Sequence, residues 1–245
     1  MTETTRPIIE ITQLVKTYGV LPVLRGLDLT VTRGEFLALL GSNGSGKSTL
    51  LRLLTGVSHP TSGQILVGGW EIPKEAAAVR AQIGLVSHKP LLYENLTARE
   101  NLQFFGRLYH LPADSLDERI NERLRQVGLY KRMYDLTRTF SRGMLQRLSI
   151  ARALLHDPHI LLLDEPYTGL DPDAAQILDA MLRATHAAEH TIIMTTHQLD
   201  RAVDLSSRIV ILAQGKIGYA APSATLNVLQ LANDYAAITG MATPR

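Results

Sequence analysis

The chain has 245 residues, 45% hydrophobic and 20% charged, with a formal net charge of +2. That is enough apolar material for one large core, and too little charge for a disordered chain or for nucleic-acid binding driven by bulk charge. It contains no cysteine, which excludes disulfides, thiolate metal sites and thiol catalysis and fits a reducing compartment.

The opening MTETTRPIIEITQLV lacks the basic-then-apolar pattern of a signal peptide. No window approaches the roughly 18–20 consecutive apolar residues of a membrane span. The expectation is a cytoplasmic protein whose membrane role, if any, is exercised through a partner. IIEITQLV (8–15) and LDLTV (27–31) alternate, which predicts half-buried strands of an antiparallel opening sheet. EFLALL (35–40) is nearly all apolar, as in a parallel strand covered on both faces. Similar runs recur at IGLV (83–86), ILLLD (160–164), TIIMT (191–195) and RIVILA (208–213). Several precede helical patterns, so the fold reads as α/β with a mostly parallel core.

From 88 to 155 the texture is helical: TARENLQFFGRLYH, SLDERINERLRQVG and SRGMLQRLSIARALLH follow one another. Thr97 and Glu100 have capping-box spacing at the first. The mixed charges of LDERINERLRQ predict a solvated face, and Ile177, Leu178, Met181 and Leu182 one core-facing stripe. The expected organisation is one domain over 1–245. An α/β core with a β subdomain occupies 1–87 and 156–222, a helical subdomain 88–155, and a tail without an assigned role 223–245.

Gly41-Ser42-Asn43-Gly44-Ser45-Gly46-Lys47-Ser48 fits G-x-x-x-x-G-K-S/T in full, between a buried strand and the helical STLLRLLTG. The glycines let backbone N–H groups turn inward around phosphate oxygens, beside the positive end of a helix. Lys47 brings a charge to the β- and γ-phosphates and the Ser48 hydroxyl is a ligand for Mg2+; Thr49 belongs to the same binding set. In HILLLDEP, Asp164 ends an apolar strand where it can hold Mg2+ through water, and Glu165 follows where it can orient or deprotonate an attacking water. The bland alternative is that the two cap a turn, but adjacent carboxylates at a buried strand end are costly without a cation.

With TFSRGMLQR (139–147) between these motifs, the chain resembles the ATP-binding subunit of ABC transporters from residue 8 to about 221. The resemblance implies a P-loop NTPase of RecA-like type, with a mostly parallel sheet, an N-terminal antiparallel β subdomain and an all-helical insertion. It implies ATP and Mg2+ as ligands, and a homodimer in which Ser141 and Gly143 face the ATP of the other copy. It also implies a separate integral membrane permease on the inner face of the cell membrane, and no nucleic-acid partner. Phe140, Arg142 and Met144 depart from the usual Leu-Ser-Gly-Gly-Gln signature. Arg142 either adds charge near phosphate or points to solvent, and Met144 packs.

Carried over position by position, Tyr18 stacks on adenine, with a half-buried sheet aromatic as the alternative, and Asp171 in TGLDP couples the two sites. His197 resembles the switch histidine, which hydrogen-bonds the γ-phosphate and the water. Lys47, Glu165 and His197 form the catalytic set. His88 stands where most such subunits have glutamine. It makes VSHKPLLYENLT similar to the cytochrome c maturation branch, the heme exporters, and is expected to act through water or on phosphate. Other small exporters of drugs, polysaccharides or lipids are the main alternative. An ABC-type ATPase acting on nucleic acid and a non-hydrolysing switch are the others.

Overall fold

The computed structural model describes residues 7–240. The first six residues and the last five, at the two ends of the expected domain, lie outside it. The alternating pair forms β1 (Pro7–Tyr18) and β2 (Leu21–Thr32), paired antiparallel. The apolar run forms β3 (Phe36–Leu40), every residue buried, followed by the glycine-rich loop and α1 (Lys47–Leu54). Two strands not anticipated from the sequence come next, β4 (Ser62–Val67) and β5 (Trp70–Ile72), and complete a four-stranded sheet in the order β2-β1-β4-β5. They are short and separated only by Gly68-Gly69, so neither carries a full alternation of its own.

After α2 (Ala76–Ala81) and β6 (Ile83–Val86) come α3 (Ala98–Leu108), α4 (Ala113–Gln126) and α5 (Arg142–Ala153). α3 begins on the expected capping box: the Thr97 hydroxyl accepts from the Glu100 N–H at 3.1 Å and the Glu100 carboxylate from the Thr97 N–H at 2.8 Å. α4 buries only Leu116, Ile120 and Leu124, one stripe at i, i+4, i+8, with its charges outward.

The chain returns through β7 (Ile160–Asp164), α6 (Pro172–Ala187), β8 (Thr191–Thr195), α7 (Leu199–Leu205) and β9 (Arg208–Ala213). β10 (Lys216–Pro222) pairs antiparallel with β9 at the edge of a six-stranded sheet ordered β10-β9-β3-β8-β7-β6, whose other pairs are parallel. Within these uniformly apolar strands the two faces still alternate. Leu161 and Leu163 of β7 join the core under α3 to α6, while Ile160 and Leu162 join the core under α1 and the antiparallel sheet. On α6, Leu178, Met181 and Leu182 are buried and Ile177 packs beside them, as expected.

The tail, to which the sequence assigns no role, carries a helix in its described part. It forms α8 (Val228–Thr239), opened by an Asn227–Gln230 capping box and closed by Gly240 in the left-handed region. Leu231 is fully buried with Ala38, Leu40, Ile209 and Ile211.

The helical segment is fastened to the sheet through α5. The Ser149 hydroxyl donates to the Pro90 carbonyl at 2.9 Å, and the buried Arg152 guanidinium donates to the carbonyls of Leu85 (2.7 Å) and Leu91 (3.3 Å). Beside them His156 stacks on Tyr109 at 3.9 Å, its Nε2 3.2 Å from the Ile83 carbonyl and its buried Nδ1 without a hydrogen-bond partner among the described residues.

Burial pushes the His156 pKa down from 6.5 to about 4. The unfolded chain therefore takes up this proton first, and stability is lost as pH falls through that interval. We expect about 2–3 kcal/mol to disappear between the two limits, allowing for the partly exposed ring. Urea unfolding across that range should show a shallower pH slope in His156→Phe, which keeps the stack and removes the titration.

Candidate functional site

Three strand ends meet here. β3 leads into the glycine-rich loop, β7 ends in Asp164, and β8, which lies between them in the sheet, ends in Thr195. The loop's shape is the work of glycine. Gly46 has φ +112°, and a Cβ there would lie 2.8 Å from Leu24 Cδ2; one on Gly41 would lie 2.4 Å from the Leu212 carbonyl oxygen. Gly46 caps α1 without a side-chain hydrogen bond, so the first N–H groups of the helix face outward for another acceptor. The loop encloses a cavity of about 250 Å³ lined by Val23, Ser42, Asn43, Gly44, Gly46, Lys47, Ser48, Thr49 and Glu165.

Lys47 is buried in this loop. Its ammonium donates to the Gly41 carbonyl at 2.6 Å and the Ser42 carbonyl at 3.3 Å, and the nearest carboxylate oxygen, Glu165 Oε1, is 3.8 Å away. Burial lowers its pKa, with Glu165 and Asp164 opposing that shift. Two carbonyls and one loosely placed carboxylate leave positive charge for a polyanion. Ser45 Oγ is also buried, with no hydrogen-bond partner among the described residues, as suits a loop whose remaining polar contacts come from a ligand.

The carboxylates are held by hydroxyls. Ser48 Oγ donates to Asp164 Oδ1 at 3.1 Å, and Thr195 Oγ1 to the same oxygen at 2.8 Å. Glu165 sits in the left-handed region at φ +51°, costing about 1 kcal/mol or more for a non-glycine residue. Its N–H donates to Thr195 Oγ1 (2.9 Å) and to the Thr195 carbonyl (3.2 Å), which holds that conformation. His197 Nδ1 lies 2.8 Å from Glu165 Oε2. One carboxylate is thus paired with the hydroxyl of the helix start and the other with an imidazole, the separation that metal binding and water activation require.

Gly41 to Thr49, Asp164, Glu165 and His197 are therefore brought together. The other expected residues lie outside this cluster. Tyr18 ends β1 half exposed, with the Lys16 ammonium 4.8 Å from its ring centroid. His88 is exposed in the loop after β6. Ser141, Gly143 and Asp171 form a second cluster at the starts of α5 and α6. Ser141 Oγ accepts from the Met144 N–H at 3.3 Å, and Asp171 Oδ1 from the Ala174 N–H at 2.8 Å. Gly143 is buried against its own chain, so that a Cβ there would lie 3.3 Å from that of Ala174 and 4.0 Å from Asp171 Oδ2. Arg142 is exposed, as one of the two expectations had it. It lies across Gly169, where a Cβ would come within 2.7 Å of its guanidinium. Met144 packs against the core, as expected.

Residues 24–168, more than half of the sequence, match the ABC transporter family. The chain belongs to the ABC transporter family. It is 38% identical over 202 residues to the linearmycin resistance ATP-binding protein LnrL of Bacillus subtilis, covering 82% of this chain and 65% of that one. It is 38% identical over 210 residues to the Nod factor export ATP-binding protein I of Ralstonia nicotianae, covering 86% and 65%. The aligned part thus spans just under two-thirds of these relatives' own length. Among solved structures, the dimeric post-hydrolysis state of the ATP-binding cassette MJ0796, bound to ADP and Pi, superposes with a TM-score of 0.81 at 26% identity, over 88% of this chain and 98% of that one. The fold is that of the ABC ATPases.

Thr195 is the site residue that sequence reasoning missed; in TIIMTT it reads as an ordinary strand former. Thr195→Val keeps the shape and removes the hydroxyl. We expect ATP turnover to fall at least about tenfold and stability by about 1–3 kcal/mol, since a buried N–H loses its better acceptor. Thr195→Ser should retain both, as phosphate release and thermal unfolding would report.

Proposed function

We propose that this ABC family member is the ATP-binding and ATP-hydrolysing subunit of an exporter, acting on a separate membrane subunit. The observation that carries the reading is the Lys47, Ser48–Asp164 and Glu165–His197 cluster around one glycine-lined cavity. In it Lys47 binds the β- and γ-phosphates and Thr49 continues the cradle. Ser48 and Asp164, already 3.1 Å apart, would hold Mg2+, Asp164 through water; when bound, the ion neutralises phosphate charge. Glu165 takes a proton from the attacking water or orients it, and His197 holds Glu165 and reaches the γ-phosphate. Tyr18, on its exposed strand end, stacks on adenine, and His88 acts through water from its loop.

In the same reading two copies pair head to tail. Ser141 and the N-terminus of α5 then face the nucleotide held by the other copy, with Asp171 beside them. The dimeric form of MJ0796 supports that arrangement. The membrane subunit meets the surface where Tyr93, Phe104 and Leu108 are exposed together, with Tyr93 and Phe104 edge to face at 4.9 Å. Among the described residues no helix is long and apolar enough to cross a membrane, so on this reading the chain works from the inner face through its partner. That surface is apolar and the net charge is only +2, which favours a protein partner over nucleic acid.

For the cargo, linearmycin resistance and Nod factor export in the relatives' names favour a drug, lipid or oligosaccharide exporter. Neither name mentions heme, so the cytochrome c maturation reading rests on the resemblance of His88 with LLYENLT, of TFSRGMLQR and of EPYTGLD to that branch.

The test is Glu165→Gln. It should keep ATP affinity within about twofold, lose turnover by at least about a hundredfold, and accumulate as an ATP-dependent dimer with its membrane subunit in detergent. Normal phosphate release, or a protein that stays monomeric with ATP beside its membrane subunit, would overturn the reading.

A further inference from the structure

The segment after Glu165 and the segment after His197 are joined by side chains outside the nucleotide cavity. Tyr167, two residues beyond Glu165, is buried, and its hydroxyl donates to Asp179 Oδ1 of α6 at 2.6 Å. The same oxygen accepts from Arg201 Nε of α7 at 3.2 Å. The Arg201 guanidinium lies 4.3 Å from the Tyr167 ring centroid, and its Nη1 donates to Gln198 Oε1 at 2.6 Å. Gln198 is the neighbour of His197 and the residue that opens α7; it makes no side-chain cap of its own, because its amide oxygen is taken by Arg201.

We infer that Tyr167, Asp179 and Arg201 are positioning residues for ATP hydrolysis, fixing the turn that bears His197 against the turn that bears Glu165. The inference rests on the roles given above to those two residues. Both stand on turns, outside the strand ladders. His197 is largely exposed (63% of its side chain) and, among the described residues, its side chain has one hydrogen bond, to Glu165. A side chain held by one bond keeps its place only if its backbone does. The backbone on either side of His197 is held by the Thr196 N–H donating to the Leu39 carbonyl at 3.3 Å, the Gln198 N–H to Thr196 Oγ1 at 3.0 Å and the Ala202 N–H to the Gln198 carbonyl at 3.1 Å. The Arg201–Gln198 bond ties the side chain of the next residue to α7. Arg201 then carries the position to Asp179 and Tyr167, and so to the chain emerging from Glu165. Burial, reinforced by Asp179, pushes the Tyr167 phenol pKa well up, so it stays a donor throughout the working range. The planar guanidinium suits Arg201, because it stacks on the ring while its edge serves two acceptors.

The test is steady-state ATP hydrolysis by the full chain with its membrane subunit, comparing Arg201→Ala, Tyr167→Phe, His197→Ala and the double variant Arg201→Ala/His197→Ala. We expect kcat to fall at least about tenfold in Arg201→Ala and about threefold in Tyr167→Phe, with KM for ATP within about twofold of wild type. We expect Arg201→Ala to add less than about twofold on top of His197→Ala. Wild-type kcat in both single variants, a KM rising in step with the loss, or losses that multiply in the double variant would overturn the tie. Tyr167→Phe keeps the buried ring, so its result does not depend on whether Arg201→Ala folds. A His197→Ala protein with normal turnover would overturn the switch-histidine reading itself, and the tie with it.

Discussion

The hydrogen bond from Thr195 to Asp164, 2.8 Å between neighbouring strand ends, is the interaction on which the site turns. β8 lies between β3 and β7, pairing Leu39 with Thr195 on one side and Asp164 with Thr195 on the other. Because those strands run parallel, their carboxyl ends emerge together, and the loops that follow must share one crevice. Residues more than a hundred positions apart in sequence, Ser48 and Asp164, are thereby brought to 3.1 Å. The threonine hydroxyl serves both neighbours, donating to Asp164 and accepting from the Glu165 N–H. It thus fixes one carboxylate directly and the other through the backbone. The strained φ of Glu165 is tolerated because its N–H has two acceptors on the same residue.

Much of this was legible in the chain because the chemistry is local. A glycine-rich loop between a buried strand and a helix, and two carboxylates ending another buried strand, each carry their meaning within ten residues. The core strands were legible because strands covered on both faces must be apolar throughout. What escaped reading lacks a local signal. β4 and β5 are short and broken by a glycine pair. α8 buries Leu231 completely and packs Tyr235 and Ile238 beside it, but Val228 and Leu229 are apolar and exposed, so its apolar residues do not read as one stripe. The Tyr167–Asp179–Arg201 contacts join three elements whose spacing in sequence predicts nothing.

The second cluster shows how one helix reaches both faces of the molecule. At its start, α5 is capped by Ser141 and packed through Gly143 against Ala174 and Asp171. Toward its end, Ser149 and Arg152 grip the carbonyls of Leu85, Pro90 and Leu91, bracketing the loop that holds His88. Arg152 also lies 5.0 Å from the ring centroid of Phe105, whose neighbour Phe104 is on the exposed apolar surface. A twelve-residue helix is about 18 Å long. Since side chains and backbone are tied at both of its ends, a displacement of α5 moves the signature turn and the His88 loop together.

Arg142, a departure from the usual signature, completes that picture through its contact with Gly169. The Arg142 side chain is exposed, and its stem and guanidinium settle across Gly169. Any Cβ at 169 would approach those atoms to about 2.7 Å, and the backbone there has φ +76°, which glycine alone adopts without strain. The arginine therefore fits because the facing turn reads Thr168-Gly169-Leu170. In return the turn that presents Asp171 is covered by a side chain from the helix that carries Ser141. That contact adds to the packing of Gly143 against Ala174 and Leu170, which joins the same two turns.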